Sequence, residues 1–211
     1  MSQGTKHTAT VYVVDNESSV RKALRSLFEA KGFEVADFSR PADFLDAYDP
    51  QQHGCLILDV RMPGMNGLEL QQYLIEHRIL IPVILLTGHG DVPMAVSAME
   101  SGAISFLEKP ANPELLLQKV DQALQRDRQL RSTTLERSEI LANMETLTPR
   151  EVEVMRLLAD GKTAKTVAKA LNITQSTVRV QRAKILKKMK ADSPSDILRM
   201  MSVVDSGDSL R

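Results

Sequence analysis

Four polar residues stand at or just beyond the ends of apolar segments in the first half of the chain: Asp15, Asp59, Thr87 and Lys109. A carboxylate can act as a nucleophile toward phosphorus, and a lysine and a hydroxyl can hold phosphoryl oxygens. A divalent cation would offset the repulsion between that carboxylate and an incoming phosphoryl group. Each residue alone could equally cap a helix, form a turn or face solvent. Together they predict phosphoryl transfer to a carboxylate.

The elements that would position these residues alternate between two periodicities, which predicts an α/β fold. Strands are predicted at residues 10–14, 35–38, 55–58, 83–86 and 104–107. Helices are predicted between them at residues 18–31, 41–48, 67–77 and 92–101. This order indicates a doubly wound, five-stranded parallel sheet covered by helices on both faces. Ligands of such sheets bind at the carboxyl ends of the strands, where the four polar residues are expected to meet.

The same segments closely resemble the receiver domain of two-component response regulators. The matching stretches are VYVVDNE, LILDVRMPGMNGLEL, ILLTGHGDVPMAV and ISFLEKP. The resemblance implies a flavodoxin-like fold in which Asp59 is the phospho-acceptor, charged by a sensor histidine kinase. It implies that Thr87 and Lys109 contact the acyl phosphate and that Phe106 is the aromatic switch. It also implies a cis peptide bond between Lys109 and Pro110, a bond type that proline tolerates.

The resemblance further implies a Mg²⁺ site with Asp15, Asn16, Asp59 and the backbone carbonyl of Arg61 as ligands. Asn16 departs from the family, which usually has a second acid at this position. An amide oxygen can still coordinate, but one negative charge is lost, so we expect a lower affinity for Mg²⁺. A nearby histidine, His89, is interpreted as an exposed loop residue rather than a proton donor.

Composition and charge bound the remaining possibilities. The 211 residues are 43% hydrophobic and 26% charged, without an apolar run of the roughly 20 residues that span a membrane. The N-terminus lacks the apolar core of a signal peptide, and the only cysteine, Cys55, is expected in a buried strand, which excludes disulfides. These features predict a cytoplasmic protein without a membrane partner.

The zero net charge conceals an asymmetry between the two halves. Residues 1–125 contain 10 Lys/Arg and 16 Asp/Glu, whereas residues 148–211 contain 13 and 7. This pattern indicates two domains, the second of which binds a polyanion, although chance surface charge would also produce it. We predict a receiver domain at residues 1–125, a solvated helical linker at 126–146 and a DNA-binding domain at 147–211.

A helix start is evident at the beginning of the third segment. Thr148 is predicted to be an N-cap, with Pro149 as the first helical residue and Glu151 closing a capping box. Two further helices at residues 164–171 and 175–190 are joined by a tight turn. Because the second of these is rich in Arg and Lys, the pair indicates an all-α helix-turn-helix domain.

The helical wheel of residues 175–190 separates an inward face from an outward face. Val178, Ile185 and Met189 are predicted to point inward. The opposite arc carries small or basic side chains suited to a major groove: Ser176, Arg179, Val180, Ala183 and Lys187. We expect Arg179 to contact a guanine and Val180 a thymine methyl. Phosphate contacts are expected from the lysines of this region, namely Lys165, Lys184, Lys187 and Lys188.

Residues 147–190 resemble a LuxR-type C-terminal domain, and with the preceding receiver they point to the FixJ/NarL group of response regulators. Similar domains bind inverted repeats in promoter DNA as dimers, which a fourth helix, here residues 193–204, helps to form. Gln181 and Ala183 differ from residues common in the group, so the operator sequence is left open.

The predicted function is that of a two-component transcription regulator. Phosphorylation of Asp59 is expected to move Thr87 and Phe106, to promote dimerisation through the fourth helix and fifth strand, and to drive promoter binding. The resemblance favours activation, with RNA polymerase as a candidate partner, and no enzymatic activity beyond slow self-dephosphorylation. One rival is a phosphorylation-independent regulator with a degenerate receiver, suggested by Asn16. Another is an aspartyl-phosphate phosphatase, which Arg61 disfavours because such enzymes usually have an acid there.

Overall fold

The structure is a computed structural model that describes residues 9–88 and 92–206. His89 lies outside the described residues. The chain divides into two compact units, Met1–Leu130 and Arg131–Arg211. Among the described residues, no helix has both the length and the apolar character needed to span a membrane.

The first unit contains the predicted parallel sheet. Its strands are β1 (Thr10–Val14), β2 (Glu34–Phe38), β3 (Gly54–Asp59), β4 (Val83–Thr87) and β5 (Ser105–Glu108). The strand order is β2-β1-β3-β4-β5, and every pair is parallel. The predicted strands are therefore confirmed, with bounds that differ by one residue at some ends.

Helices cover both faces of this sheet and confirm the doubly wound, flavodoxin-like fold. They are α1 (Ser18–Glu29), α2 (Pro41–Ala47), α3 (Gly67–Glu76), α4 (Val92–Glu100) and α5 (Pro113–Glu145). Alternate residues of β3 enter opposite apolar cores because side chains of a strand point to alternate faces. Cys55 and Ile57 pack with α1 and α5, whereas Leu56 and Leu58 pack with α2, α3 and α4.

The second unit is helical, as predicted. Besides the end of α5, it contains α6 (Pro149–Ala159), α7 (Ala164–Leu171), α8 (Gln175–Met189) and α9 (Pro194–Ser206). Thr148 caps α6, and its reciprocal capping box with Glu151 is present. The tight turn between α7 and α8 begins at Asn172, whose φ of 52° is the left-handed conformation that asparagine tolerates. The predicted inward residues Val178, Ile185 and Met189 are fully buried.

The segment predicted to be a separate solvated linker is a continuous part of α5, and the boundary between the two units falls within it. In the first unit, the carboxylate of Asp127 is buried and accepts hydrogen bonds from the His53 ring and the Gly54 amide. In the second unit, Ile140 is buried and Arg137 donates to the carbonyl of Val204. The segment is therefore helical and mostly exposed, in keeping with a solvated connector, except that Asp127 and Ile140 near its ends are buried in their own units.

Candidate functional site

The carboxyl ends of β1, β3, β4 and β5 bring the predicted polar residues to one edge of the sheet. Asp59 pairs in register with Leu86, one residue before Thr87, and the Lys109 amide donates to the Thr87 carbonyl at 2.8 Å. The Lys109 ammonium lies 2.6 Å from Asp15 Oδ2 and 3.0 Å from Asp59 Oδ1. Strand order thus joins three charged residues that are widely separated in sequence.

This charged cluster is almost removed from solvent. Asp15 is 1% exposed, Asp59 is 3% exposed, and the side chain of Lys109 is 14% exposed. Burial raises the pKa of Asp59, and the bond and charge of Lys109 oppose this, leaving the pKa above its ordinary value. For Lys109, burial lowers the pKa, but the hydrogen bonds to Asp15 and Asp59 outweigh it and the pKa is raised. The lysine therefore remains an ammonium that offsets the two acids.

Local contacts hold Asp15 in place. Its Oδ1 accepts a hydrogen bond from the Glu17 amide at 2.8 Å, and its carbonyl accepts one from Arg21 Nη1 at 2.6 Å. Its buried Oδ2 pairs with the Lys109 ammonium at 2.6 Å. Arg21 was not predicted as part of the site. The only feature of the sequence that could have indicated this contact is the position of Arg21 in the predicted first helix, six residues after Asp15.

Asn16 is exposed and lies against the same cluster. The terminal atom of its side chain that faces the cluster has only acceptors around it, so we assign that atom as the amide nitrogen. In this orientation the nitrogen donates to Asp59 Oδ2 and to the Arg61 carbonyl, each at 3.2 Å. With this assignment, Asn16 donates to Asp59 Oδ2, while Lys109 pairs with Oδ1.

The donor set around Asp59 suits Mg²⁺, although it lacks a third acid. Among residues 9–88 and 92–206, no group of three or more His, Cys, Asp and Glu side chains could hold a metal ion. The set instead combines the Asp15 and Asp59 carboxylates with the Arg61 carbonyl, and Mg²⁺ commonly completes such a set with water. The Oδ2 atom of Asp15 is buried and pairs with Lys109 at 2.6 Å, so it could coordinate a cation once Lys109 had moved.

An open cavity of about 520 Å³ adjoins the cluster. It is lined by Asn16, Arg61 and Asn66 together with the apolar side chains of Val60, Met62, Pro63, Leu68 and Met94. Asn66 also caps α3 by accepting from the Leu68 and Glu69 amides. This side of the cluster is therefore accessible from solvent.

The remaining predicted residues of the first unit lie in β4 and β5. Thr87 is fully buried at the end of β4, and Phe106 in β5 is half-buried against the core that includes Leu85 and Ala98. The peptide bond between Lys109 and Pro110 is cis, as expected. Nearby, α4 exposes a row of apolar side chains, with Val92 76% exposed and Val96 and Met99 about half exposed.

In the second unit, the outward face of α8 is open to solvent. The side chains predicted to enter a major groove are all exposed: Ser176, Arg179, Val180, Ala183 and Lys187. Lys165 and Lys184, predicted to contact phosphate, are exposed as well. Together they form an exposed surface with four basic side chains that extends along α8.

Lys188 has protein partners that sequence reasoning missed. Its ammonium donates to Glu151 Oε2 at 2.6 Å and to the Thr146 carbonyl at 3.0 Å. The hydrogen bond from Lys188, with help from the Thr148 amide, lowers the pKa of Glu151. A phosphate contact by Lys188 remains a prediction, and it would compete with this ion pair.

Comparisons with known proteins assign a family resemblance to each unit. The model for the response regulator receiver domain matches residues 11–121, and the model for bacterial regulatory proteins of the luxR family matches residues 145–201. The chain is 42% identical to nodulation protein W of Bradyrhizobium diazoefficiens, over 91% of this chain and 85% of that protein. It is 36% identical to transcriptional regulatory protein FixJ of the same organism, over 90% and 93%.

Two solved structures resemble both units of the chain. The response regulator StyR is 40% identical with a TM-score of 0.81, covering 93% of this chain and 99% of that chain. Full-length FixJ from B. japonicum is 35% identical with a TM-score of 0.56, covering 93% and 97%. Both similarities extend over almost the whole length of each protein compared.

Proposed function

The chain belongs to the two-component response regulators of the FixJ/NarL type, which are DNA-binding regulators of transcription, and we propose that Asp59 is its phosphorylation switch. A sensor histidine kinase supplies the phosphoryl group. The phosphorylated chain dimerises and binds an inverted repeat in promoter DNA. Within the family, the receiver implies the kinase partner and the LuxR-type domain implies DNA binding.

The observation that carries this proposal is the ion-paired contact of Lys109 with both Asp15 and Asp59 at the carboxyl edge of the sheet. An oxygen of Asp59 attacks phosphorus as the bond from phosphorus to the donor imidazole nitrogen breaks, and that nitrogen keeps the electron pair. Lys109 is charged and lies 3.0 Å from Asp59, so it is close enough to bind the oxygens of a phosphoryl group on Asp59. Thr87, adjacent through its backbone bond to Lys109, supplies a hydroxyl.

Receiver domains generally bind Mg²⁺ at the phosphorylation site. Here Asp15, Asp59 and the Arg61 carbonyl would hold the ion, with Asn16 as a neutral fourth ligand. When bound, Mg²⁺ offsets the negative charge of the carboxylates and the phosphoryl group. Because Asp59 is 3% exposed and its Oδ1 lies 3.0 Å from the Lys109 ammonium, a phosphodonor must displace Lys109 before that oxygen can attack.

The exposed apolar row on α4 supports dimerisation beside β5. Phosphorylation adds nearly two negative charges to the pocket. Thr87 then moves toward the phosphoryl group, and Phe106 follows into the space behind it. Repacking at Phe106 alters the surface that carries Val92, Val96 and Met99, whose exposure favours burial against a second copy.

We expect α8 to bind DNA in the cytoplasm of a bacterium. RNA polymerase is a candidate partner, and we expect the protein to activate transcription rather than repress it. The protein is a regulator rather than an enzyme, with slow self-dephosphorylation as its expected chemistry. A phosphorylation-independent regulator is the second candidate, and Asn16 in place of an acid is the observation that favours it.

The experiment that separates the two candidates uses the wild-type chain with acetyl phosphate and Mg²⁺. We expect a retarded band in Phos-tag electrophoresis and tighter binding to DNA selected from a random pool. Beryllofluoride should produce the same gain in affinity together with dimers in analytical ultracentrifugation. No retarded band and no gain in affinity would favour the phosphorylation-independent regulator.

The second unit yields a prediction about base recognition. Replacing Arg179 with alanine should weaken binding to the selected operator by about fivefold or more, since a bidentate contact to guanine contributes roughly 1–3 kcal/mol. Fluorescence anisotropy at fixed salt measures the affinity. Arg156→Ala, a change of the same charge at an exposed position on α6, should alter it by about threefold or less. Equal losses in both variants would contradict a base contact by Arg179.

A further inference from the structure

The apolar stripe of α5 includes a buried carboxylate. The helix packs against the sheet through four buried apolar side chains: Leu116, Val120, Ala123 and Leu124. At about 100° per residue, position 127 falls in the middle of that stripe. The residue there is an aspartate that is only 1% exposed. Because removal of a carboxylate from water costs free energy, an apolar side chain would be easier to bury at this position.

Hydrogen bonds from β3 and from the residue before it hold this carboxylate. Asp127 Oδ2 accepts from the Gly54 amide at 3.1 Å and from His53 Nδ1. On the other side of the ring, Arg128 Nε donates to His53 Nε2 at 3.2 Å. Because a guanidinium only donates, Nε2 accepts, and the ring hydrogen on Nδ1 faces Asp127. The imidazole is thus held between two adjacent residues of α5.

The strand side of this contact is fixed by the sheet. The His53 carbonyl accepts from the Thr10 amide at 2.9 Å, and Thr10 is the register partner of Gly54. A Cβ atom on Gly54 would lie 2.4 Å from the Thr10 carbonyl oxygen, so the backbones of β1 and β3 lie against each other here. The carboxylate of Asp127 is therefore bound to the amino-terminal end of β3, whereas Asp59 lies at its carboxyl-terminal end.

Asp127 also marks the point at which α5 leaves the core of the first unit. Residues 128–139 are exposed or half-buried, and the next buried side chain is Ile140. The division between the two units falls within this stretch. As an α-helix, the stretch extends roughly 18 Å. A small change of angle at its base therefore becomes a larger displacement at its far end.

We propose that Asp127 is a polar anchor that fixes, through His53 and Gly54, the direction in which α5 leaves the first unit, and that DNA binding responds to phosphorylation only when this anchor is intact. Hydrogen bonds weaken outside a narrow range of distance and angle, whereas apolar contacts are non-directional and tolerate small shifts of a helix. The anchor therefore defines one position of the helix base. Its part in DNA binding rests on the proposed function, but its hold on α5 does not.

Two pairs of variants separate the anchor from its surroundings. Asp127→Leu removes the acceptor but keeps an apolar side chain in the stripe, so the first unit should still fold. Asp121→Leu makes the same change at an exposed position of the same helix. His53→Ala removes the donor from the other side of the anchor, and His53→Asn returns an N–H group near the position of Nδ1.

The direction of α5 is measured in full-length chains with nitroxide labels on cysteines introduced at two exposed serines, Ser26 in α1 and Ser132 in α5. Cys55 is buried, and burial raises the pKa of its thiol, so the introduced cysteines react selectively. In double electron–electron resonance, D127L and H53A should give broader distance distributions than wild type. D121L and H53N should give the wild-type distribution.

The response to phosphorylation is measured in the unlabelled chains. D127L should keep the retarded band in Phos-tag electrophoresis with acetyl phosphate, because Asp127 and Asp59 contact opposite ends of β3. Its gain in DNA affinity with beryllofluoride should nevertheless be smaller than that of wild type by about threefold or more. D121L should show the wild-type band and the wild-type gain.

An unchanged distance distribution in D127L and H53A would refute the anchor, and a broad distribution in H53N would refute the hydrogen bond as its cause. A wild-type gain in D127L, or loss of its Phos-tag band, would refute the specific link to DNA binding. If D127L failed to fold, H53A and H53N would decide the same questions. If wild type itself showed neither band nor gain, the proposed function would fail, while the distance distributions would still decide whether the anchor holds α5.

Discussion

Asp59→Asn is expected to abolish phosphorylation of the chain by acetyl phosphate. An amide cannot form the acyl phosphate that a carboxylate forms, although its volume is nearly the same. The substitution should still permit folding, because Lys109 keeps Asp15 as a partner at 2.6 Å. Burial disfavours the charged form of Asp59, as its raised pKa indicates, so a neutral amide at this position removes a buried charge. The retarded band in Phos-tag electrophoresis should disappear completely, and the gain in DNA affinity on adding phosphodonor should disappear with it.

A matched control is available on the surface of the same unit. Asp46 in α2 is exposed, and Asp46→Asn makes the identical chemical change outside the pocket. This variant should give the same band and the same gain in affinity as wild type. A band that persists in D59N would mean that another residue accepts the phosphoryl group, which would contradict the assignment of Asp59.

Gly67→Ala is expected to destabilise the first unit by about 3 kcal/mol or more, a large fraction of the roughly 5–15 kcal/mol that stabilises a typical domain. A Cβ atom at Gly67 would lie 2.3 Å from the Asp59 carbonyl oxygen and 3.0 Å from its carbonyl carbon. Both are backbone atoms, which cannot turn aside as a flexible side chain can. The start of α3 would have to withdraw from the strand end that carries Asp59.

Urea unfolding of the full chain, followed by near-ultraviolet circular dichroism, measures this loss. The signal reports on the first unit because Tyr12, Tyr48 and Tyr73 all lie in that unit and the chain has no tryptophan. Gly88→Ala is the control, since a Cβ there meets nothing within 4 Å, and its midpoint should stay close to that of wild type. If G67A unfolded at the wild-type midpoint, the close packing of α3 on the Asp59 backbone would be refuted. A partly folded G67A should also lose phosphorylation, because its helix start and the Asp59 backbone are in contact.

The strands of the first unit were predictable because their signal is local. Runs such as Thr10–Val14 and Val83–Thr87 are short, apolar and β-branched, and a polar residue marks the end of each. The cap of α6 at Thr148 was predictable for the same reason, because the partners of a capping box lie three residues apart. The family resemblance then supplied roles for residues whose types alone left several interpretations open.

The extent of α5 was only partly predictable. The absence of glycine and proline between Pro113 and Glu145 is consistent with one long helix. The charged composition of its second half nevertheless indicated a solvated connector. Burial of Asp127 and Ile140 could not be predicted, because most of the residues that cover them lie far away in the chain. Hydrophobic periodicity reports the face of a helix, but it does not identify what covers that face.

Residue types and their spacing were enough to identify which side chains could carry chemistry, where each strand ends, and which face of α8 is apolar, since these properties depend on neighbours within a few positions. The tertiary fold decided that Lys109 joins Asp15 to Asp59 and that Lys188 pairs with Glu151. Such contacts depend on distances of a few ångströms between segments far apart in the chain, and hydrogen bonding and charge pairing act only over those distances.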